Sequence, residues 1–237
     1  MRIPPGKRLL DLLALLILLP FVLPVALLIA VAILLDSPGP VVFRAARVGV
    51  GGRRFEMLKF RTMKVHAGGR ALAGAGDLRV TPVGRFLRRS RLDELPQLWN
   101  VLRGQMSFVG PRPELEEFVA LHAADYERIL AVAPGITGPT QLRYAGVEAH
   151  LLGMQEDPES YYREQLLPSK VALDLDYADG RSLRQDVVLL CQTLALPVVL
   201  VLQGRAGAGR RSVAYAGAAM AVALVPLLFA IGLGSPR

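Results

Sequence analysis

Residues 12–35, LLALLILLPFVLPVALLIAVAILL, form an uncharged run of 24 residues that constrains the fold more than any other stretch of the chain. As a helix such a run reaches about 36 Å, against about 30 Å for the hydrocarbon core of a bilayer. A cleaved leader is not expected, because the run is too long and DSPGP, not a small-residue cleavage site, follows it. Pro20 and Pro24 stand mid-run, where each removes a backbone donor and favours a kink. Basic residues flank both ends: Arg2, Lys7 and Arg8 before it, Arg44, Arg47, Arg53 and Arg54 after it. A spanning helix biases its lysines and arginines toward one side. The residues therefore leave two topologies open, a kinked span or a re-entrant helix that breaks at the prolines and returns to the face it entered.

Two later segments are also apolar. Residues 187–202 carry Gln192 and Pro197 and read as an interfacial or buried helix. Residues 212–234 are uncharged and follow Arg205, Arg210 and Arg211, which would keep the start of a second membrane segment cytoplasmic. Because the apolar residues gather at the two ends, an overall apolar share of 52 % understates the membrane character of the chain.

The middle reads as short strands and then helices. VVF and FEMLKF are strand-like runs around a GVGG turn, which lacks both the GxGxxG spacing and a GKS/T and is no nucleotide fingerprint. Residues 66–76 read as a loop. A helical pattern starts at Val83, with Leu95, Leu98, Trp99 and Leu102 at helical spacing, and GPRP at 110–113 stops it. Residues 114–132 predict one amphipathic helix, PGITG at 134–138 a tight turn, and residues 157–180 two helical stretches broken by Pro168. The expected fold is α+β, mostly helical with a small β element. Its parts are a membrane helix over 1–36, a cytoplasmic domain over 37–205 and an apolar extension over 206–237.

Lysine and arginine exceed aspartate and glutamate by 28 − 20 = 8. Beside a membrane segment, that excess points to an anionic bilayer surface or to phosphorylated substrates. Nucleic acid is not an expected partner, since one Trp and six Tyr make no stacking pattern among the basic residues. The single cysteine, Cys191, excludes internal disulfides and thiolate metal clusters and is expected to be a small buried hydrophobe. His66, His122 and His150 are scattered, which disfavours a histidine metal site.

The densest chemistry is at Asp93 and Glu94, which follow Arg79, Arg85, Arg88, Arg89 and Arg91 with no acid between residues 78 and 92. A structural reading is open: Ser90 and Asp93 have the spacing of a capping box, with the arginines as ion-pair partners or lipid contacts. The functional reading is a phosphate seat in which one carboxylate attacks phosphorus and the other serves as base or metal ligand. Nearby cations keep the attacking carboxylate ionised, and Pro96 suggests a sharp helix entry at the pair.

KFRTM (59–63), TPVGRFLRRSRLDELPQLWNVLRGQMSFVGPRPE (81–114), PGITG (134–138) and DYADGRSLRQDVVLLCQTL (176–194) together resemble the bacterial sugar transferase family, the monotopic phosphoglycosyl transferases. The likeness runs from the first apolar segment to about Gly204. It implies transfer of a sugar-1-phosphate from a UDP-sugar to undecaprenyl phosphate at the cytoplasmic face of the bacterial inner membrane. The implied setting is the first membrane step of surface glycan or exopolysaccharide assembly, with Mg²⁺ as cofactor and membrane lipids as further partners; whether a second copy of the chain is also a partner, as a homo-oligomer, stays open. Asp93 matches the nucleophile that forms an aspartyl phosphosugar and releases UMP. Glu94 matches its partner acid, and both are implied metal ligands. Lys59, Arg61, Arg88, Pro111, Arg112 and Pro113 match substrate-binding positions, and the resemblance also implies the re-entrant form of the first helix. After PGITG the chain departs from the pattern: the frequent arginine is Ala145, with Arg143 two residues earlier as its candidate replacement. The identity of the sugar stays open. A non-enzymatic basic membrane scaffold, binding anionic lipid or assembly partners, is the alternative from another class, and hydrolysis of a lipid-linked phosphate is a third reading.

Overall fold

The structure, a computed structural model, describes residues 3–65 and 76–204. The expected loop over 66–76 therefore lies almost wholly outside the described residues, and the second apolar segment at 212–234 lies entirely outside them. The chain divides into two compact units, Met1–Gly180 and Arg181–Arg237.

Helix α1, Pro5–Asp36, contains the apolar run and continues through Pro20 and Pro24. Pro5 sits in its first turn, where a missing N–H costs nothing. The helix is long and apolar enough to cross a membrane, and only 11 % of its most apolar stretch is buried, which is not how a core helix is placed. Both ends of α1 are nevertheless fastened to the same body. At the N-terminal end the Arg8 guanidinium donates to the carbonyls of Val101 and Leu102. Buried Asp11 accepts from Ser107 Oγ at 2.9 Å and from the Phe108 N–H at 3.1 Å. At the C-terminal end Ile29 and Ile33 pack into a cluster with Phe60 and Leu87.

The expected strand runs form a hairpin, β1 (Val42–Val48) and β2 (Arg54–Phe60), paired antiparallel from Val42 opposite Phe60 to Val48 opposite Arg54. GVGG makes the connection, with Gly51 and Gly52 at φ 64° and 76°, the left-handed region that glycine enters freely. A second sheet is not expected from the sequence: β3 (Ser107–Val109) and β4 (Gly135–Thr137) pair in parallel. PGITG is thus half strand and not a tight turn. Three-residue strands are too short for an alternation pattern, and the pairing is made by contacts 28 residues apart (Ser107 with Gly135).

Between the sheets lie α2 (Pro82–Ser90), a single 3₁₀ turn over Leu92–Glu94, and α3 (Gln97–Leu102). The segment expected as one helix over 114–132 is two, α4 (Glu116–Leu121) and α5 (Ala123–Ile129), with His122 at φ −128° and ψ 44° between them. After β4 come α6 (Pro139–Arg143), α7 (Glu148–Gly153), α8 (Pro158–Tyr161) and α9 (Leu167–Gly180). Pro168 does not break this last region. It is the second residue of α9, and a π turn over Tyr162–Leu166 precedes it, so the missing donor falls where the helical hydrogen-bond pattern has already shifted. Phe118, Tyr126, Ile129, Tyr162, Leu166 and Leu167 form the core that α4, α5 and α9 share with the π turn.

The second unit holds α10, Leu183–Gly204, which continues through Pro197. Ser182 caps it by accepting from the Gln185 N–H. Cys191 is exposed, not buried as expected. It shares one face of α10 with exposed Leu183, Val187 and Leu194, spaced as a helical stripe, while Leu189 on another face is buried.

Candidate active site

The site grows from the way α2 ends. Thr81 caps the helix, its hydroxyl accepting from the Gly84 N–H at 3.0 Å. Gly84 then rests directly on the backbone of Thr62, and a Cβ there would collide with the Thr62 carbonyl. Gly84→Ala is expected to destabilise the protein by about 1–3 kcal/mol, the usual range for forced overpacking. A melting temperature equal to wild type would show that α2 does not need this approach. At the other end Arg91 takes the left-handed conformation at φ 60°, at a cost of about 1 kcal/mol for a non-glycine residue. That residue turns the chain sharply, so the 3₁₀ turn carries Asp93 and Glu94 inward, and Pro96 opens α3 immediately afterwards. Ser90 does not form the capping box: its hydroxyl donates back to the carbonyls of Phe86 and Leu87.

Asp93 and Glu94 are both buried, at 8 % and 7 % exposure, yet both line an open cavity of about 830 Å³. The two carboxylates differ in partners. Glu94 Oε1 receives Lys59 Nζ at 3.3 Å, an Arg112 guanidinium nitrogen at 3.5 Å and an Arg91 one at 3.7 Å. Burial alone would raise the Glu94 pKa, but these three cations outweigh it and hold it down at about 2. Asp93 makes no hydrogen bond or ion-pair contact among the described residues, although Lys59, Arg88 and Arg91 act on it electrostatically. Burial first, and the charge on Glu94 second, push its pKa above the ordinary carboxylate value. Burial lowers Lys59, since it holds only a share of one carboxylate, while the surrounding acids push Arg112 up against its own burial.

Most residues named from sequence meet here. Lys59, Arg61, Arg88, Asp93, Glu94, Arg112 and Pro113 line the cavity. Arg88 is aligned by its Nε–H, which donates to Thr62 Oγ1 at 2.8 Å. Arg61 is occupied otherwise: its guanidinium donates to the carbonyls of Pro38 at 2.5 Å and Ser37 at 2.6 Å, tying down the exit of α1. Pro111 and Arg143 are not among the lining residues, and Arg143 is exposed at the end of α6. Arg91, one of the arginines offered from sequence as ion-pair partners but not as a site residue, pairs with Glu94 and lines the cavity, a role that depends on its left-handed turn. The sequence reading missed the cavity's far wall. There buried Lys170 of α9 meets Glu148 at 2.8 Å and Tyr162 Oη at 3.0 Å, and Tyr162 donates to Glu114 at 2.7 Å. Those residues are scattered over more than fifty positions, and no local motif marks them. Asp174 braces the same wall from behind, accepting from Thr140 Oγ1 and from the Arg112 N–H.

An unpaired carboxylate beside a paired one, with several cations lining the same open cavity, is equipped for covalent group transfer from an anionic donor. The model of the bacterial sugar transferase family matches residues 4–200. The chain belongs to that family and is, on that membership, a phosphoglycosyl transferase. It is 40 % identical over 193 residues to the UDP-glucose:undecaprenyl-phosphate glucose-1-phosphate transferase of Caulobacter vibrioides, covering 79 % of this chain and 68 % of that protein. A Xanthomonas campestris protein of the same description is 42 % identical over 181 residues, which are 72 % of this chain and 34 % of the relative. The UDP-N-acetylgalactosamine-undecaprenyl-phosphate N-acetylgalactosaminephosphotransferase of Aeromonas hydrophila is 46 % identical over 143 residues, 57 % of this chain and 33 % of the relative. The chain thus spans about two thirds of the first relative's length and about one third of the other two.

Proposed function

We propose that this protein transfers a sugar-1-phosphate from a UDP-sugar to undecaprenyl phosphate through a phosphosugar carried on Asp93. The observation that carries the reading is the contrast within the acidic pair. Glu94 absorbs the ion pairs of Lys59, Arg91 and Arg112, which leaves the Asp93 carboxylate inside the same positive field and uncommitted. An Asp93 oxygen attacks the phosphorus that bears the sugar. The bond from that phosphorus to the bridging oxygen breaks, and UMP leaves with the electron pair. An oxygen of the polyprenyl phosphate then attacks the same phosphorus and displaces the Asp93 carboxylate, which is regenerated. Lys59, Arg88 and Arg112 balance the charge of the transferring group. One shallow site can in this way serve two bulky substrates in turn.

Among the described residues no three histidine, cysteine or acidic side chains cluster as a metal site. The Asp93–Glu94 pair suits Mg²⁺, which takes one or two protein carboxylates and completes its shell with water and substrate phosphate. Bound there, Mg²⁺ would neutralise charge on the donor diphosphate.

The proposal includes membrane attachment by a re-entrant α1 at the cytoplasmic face. What supports it is that Arg8 and Asp11 at one end, and Ile29 and Ile33 at the other, all dock on Met1–Gly180 residues of the same body. A straight span would place its two ends on opposite sides of the bilayer. Cysteines introduced singly before residue 5 and after residue 36, in a Cys191→Ser background, should react with an impermeant reagent from the cytoplasmic side alone. Labelling of the two sites from opposite sides would sink this topology. The transfer itself is tested by release of UMP across a panel of UDP-sugars, with and without undecaprenyl phosphate and Mg²⁺. Absence of UMP release with every donor would overturn it, and a positive donor would name the sugar.

A further inference from the structure

One face of the β1–β2 hairpin is the floor of the active-site cavity. Residues opposite one another in an antiparallel pair project to the same face. Phe43 lies opposite Lys59 and Ala45 opposite Met57, and all four line the cavity. Lys59 reaches Glu94 from this floor, so Phe43 stands on the face that meets the acidic pair. The other face turns Phe60 toward Ile29 and Ile33 of α1. The hairpin is therefore held between the membrane helix and the cavity.

Apolar and cationic groups meet on this floor at its α1 end. There Phe43 is 56 % exposed and Val65, on the same rim with Pro40, is 40 % exposed. The next residue of this face, Ala45, is 6 % exposed. Phe43 is therefore not filling a core, and an exposed apolar rim on a cavity marks a place for an apolar ligand. The rim is held in place by Arg61, which grips the carbonyls of Ser37 and Pro38. Gly39 between them and Pro40 lies at φ 125°, packed so tightly that a Cβ would strike Arg61 and Val65. Directly across the strand pair from Phe43 stands the cation of Lys59, and Arg88 of α2 lines the same cavity. A ligand matched to this arrangement is apolar where it leaves toward α1 and anionic where it meets the cations. A nucleoside diphosphate sugar has no apolar part of that kind, whereas an isoprenoid phosphate has both.

We infer that Phe43 and Val65 form the entry ledge of the acceptor, over which the isoprenoid chain of polyprenyl phosphate lies while its phosphate reaches Lys59 and Arg88. The inference rests on the transferase reading above and assigns its second substrate a place. It is tested on the full-length enzyme with undecaprenyl phosphate, with the ten-carbon citronellyl phosphate, and with the UDP-sugar that supports UMP release. Phe43→Ser should raise the KM for undecaprenyl phosphate about tenfold relative to the KM for the donor, as expected when a half-exposed ring no longer buries against a prenyl chain. The penalty should shrink with the short acceptor, and Phe43→Leu should recover most of the loss. Donor and acceptor KM values that rise together, or an unchanged ratio, would overturn the ledge. So would an equal penalty for the long and short acceptors. Reduced co-flotation of Phe43→Ser with phosphatidylglycerol vesicles, at an unchanged KM ratio, would assign Phe43 to bilayer anchoring instead. A wild-type enzyme that releases no UMP from any donor defeats the transferase reading itself, and that failure shows in the wild type alone, independently of the Phe43 variants.

Discussion

Asp93→Asn should abolish turnover, with a fall of at least about a thousandfold, because no other carboxylate in the cavity is both unpaired and next to the cations. Asparagine has nearly the same shape but is a far poorer nucleophile, so the fold and donor binding should survive. Protein incubated with a donor labelled on the sugar, without acceptor, should carry the label in wild type and none in the variant. The position favours this outcome for two reasons. Desolvation lifts the Asp93 pKa and leaves the ionised carboxylate less stabilised by solvent, while Lys59, Arg88 and Arg91 keep that form accessible near neutral pH. Wild-type activity should accordingly fall on acidification at a pH above the ordinary aspartate range. Full turnover by Asp93→Asn would end the covalent mechanism.

Glu94→Gln should produce the second largest effect, and a different one. The amide removes the charge on which Lys59, Arg91 and Arg112 converge, so turnover should drop on the order of a hundredfold through misplacement of the cations that stabilise the transferring phosphoryl group. Losing the Glu94 charge also removes one of the causes that raise the Asp93 pKa, so the acid limb of the residual activity should move to lower pH. Stability should respond in the carboxylate range. The folded-state pKa of Glu94, about 2 against 4.5 for the free group, makes its contribution complete above about pH 4.5 and lost progressively as pH falls toward 2. Thermal unfolding followed between pH 2 and 7 should therefore show a weaker acid destabilisation in Glu94→Gln, starting from a lower plateau. An acid limb that stays in place in the variant would mean that the two carboxylates are not electrostatically coupled.

Much of this site is legible in local sequence. Asp93, Glu94, Lys59, Arg88 and Arg112 sit in short motifs, and the structure places all five on one cavity. Arg61 belongs to the same motif as Lys59, yet its guanidinium turns away to the exit of α1. Lys59 and Arg61 are two residues apart and so share a side of the extended chain, but whether a carbonyl or a carboxylate waits for each depends on elements far away in sequence. Arg143 is the nearest candidate for the family arginine missing at Ala145, but at the end of a five-residue helix that proximity does not bring it to the cavity wall. The wall formed by Lys170, Glu148, Tyr162 and Glu114 has no local signature. Its members come from separate elements, and only packing brings them together.

The sequence alone determined the membrane-seeking helix, the hairpin with its glycine turn and the crowding of positive charge around two acids. Each follows from composition and spacing over a few adjacent residues, where periodicity and backbone preference act directly. Only the tertiary structure decided that Glu94 takes the ion pairs while Asp93 remains uncommitted. It alone paired β3 with β4, and it alone fastened both ends of α1 to one body. Those outcomes depend on burial and on contacts between distant segments, whose energies arise when the chain is packed and leave no periodic trace along it.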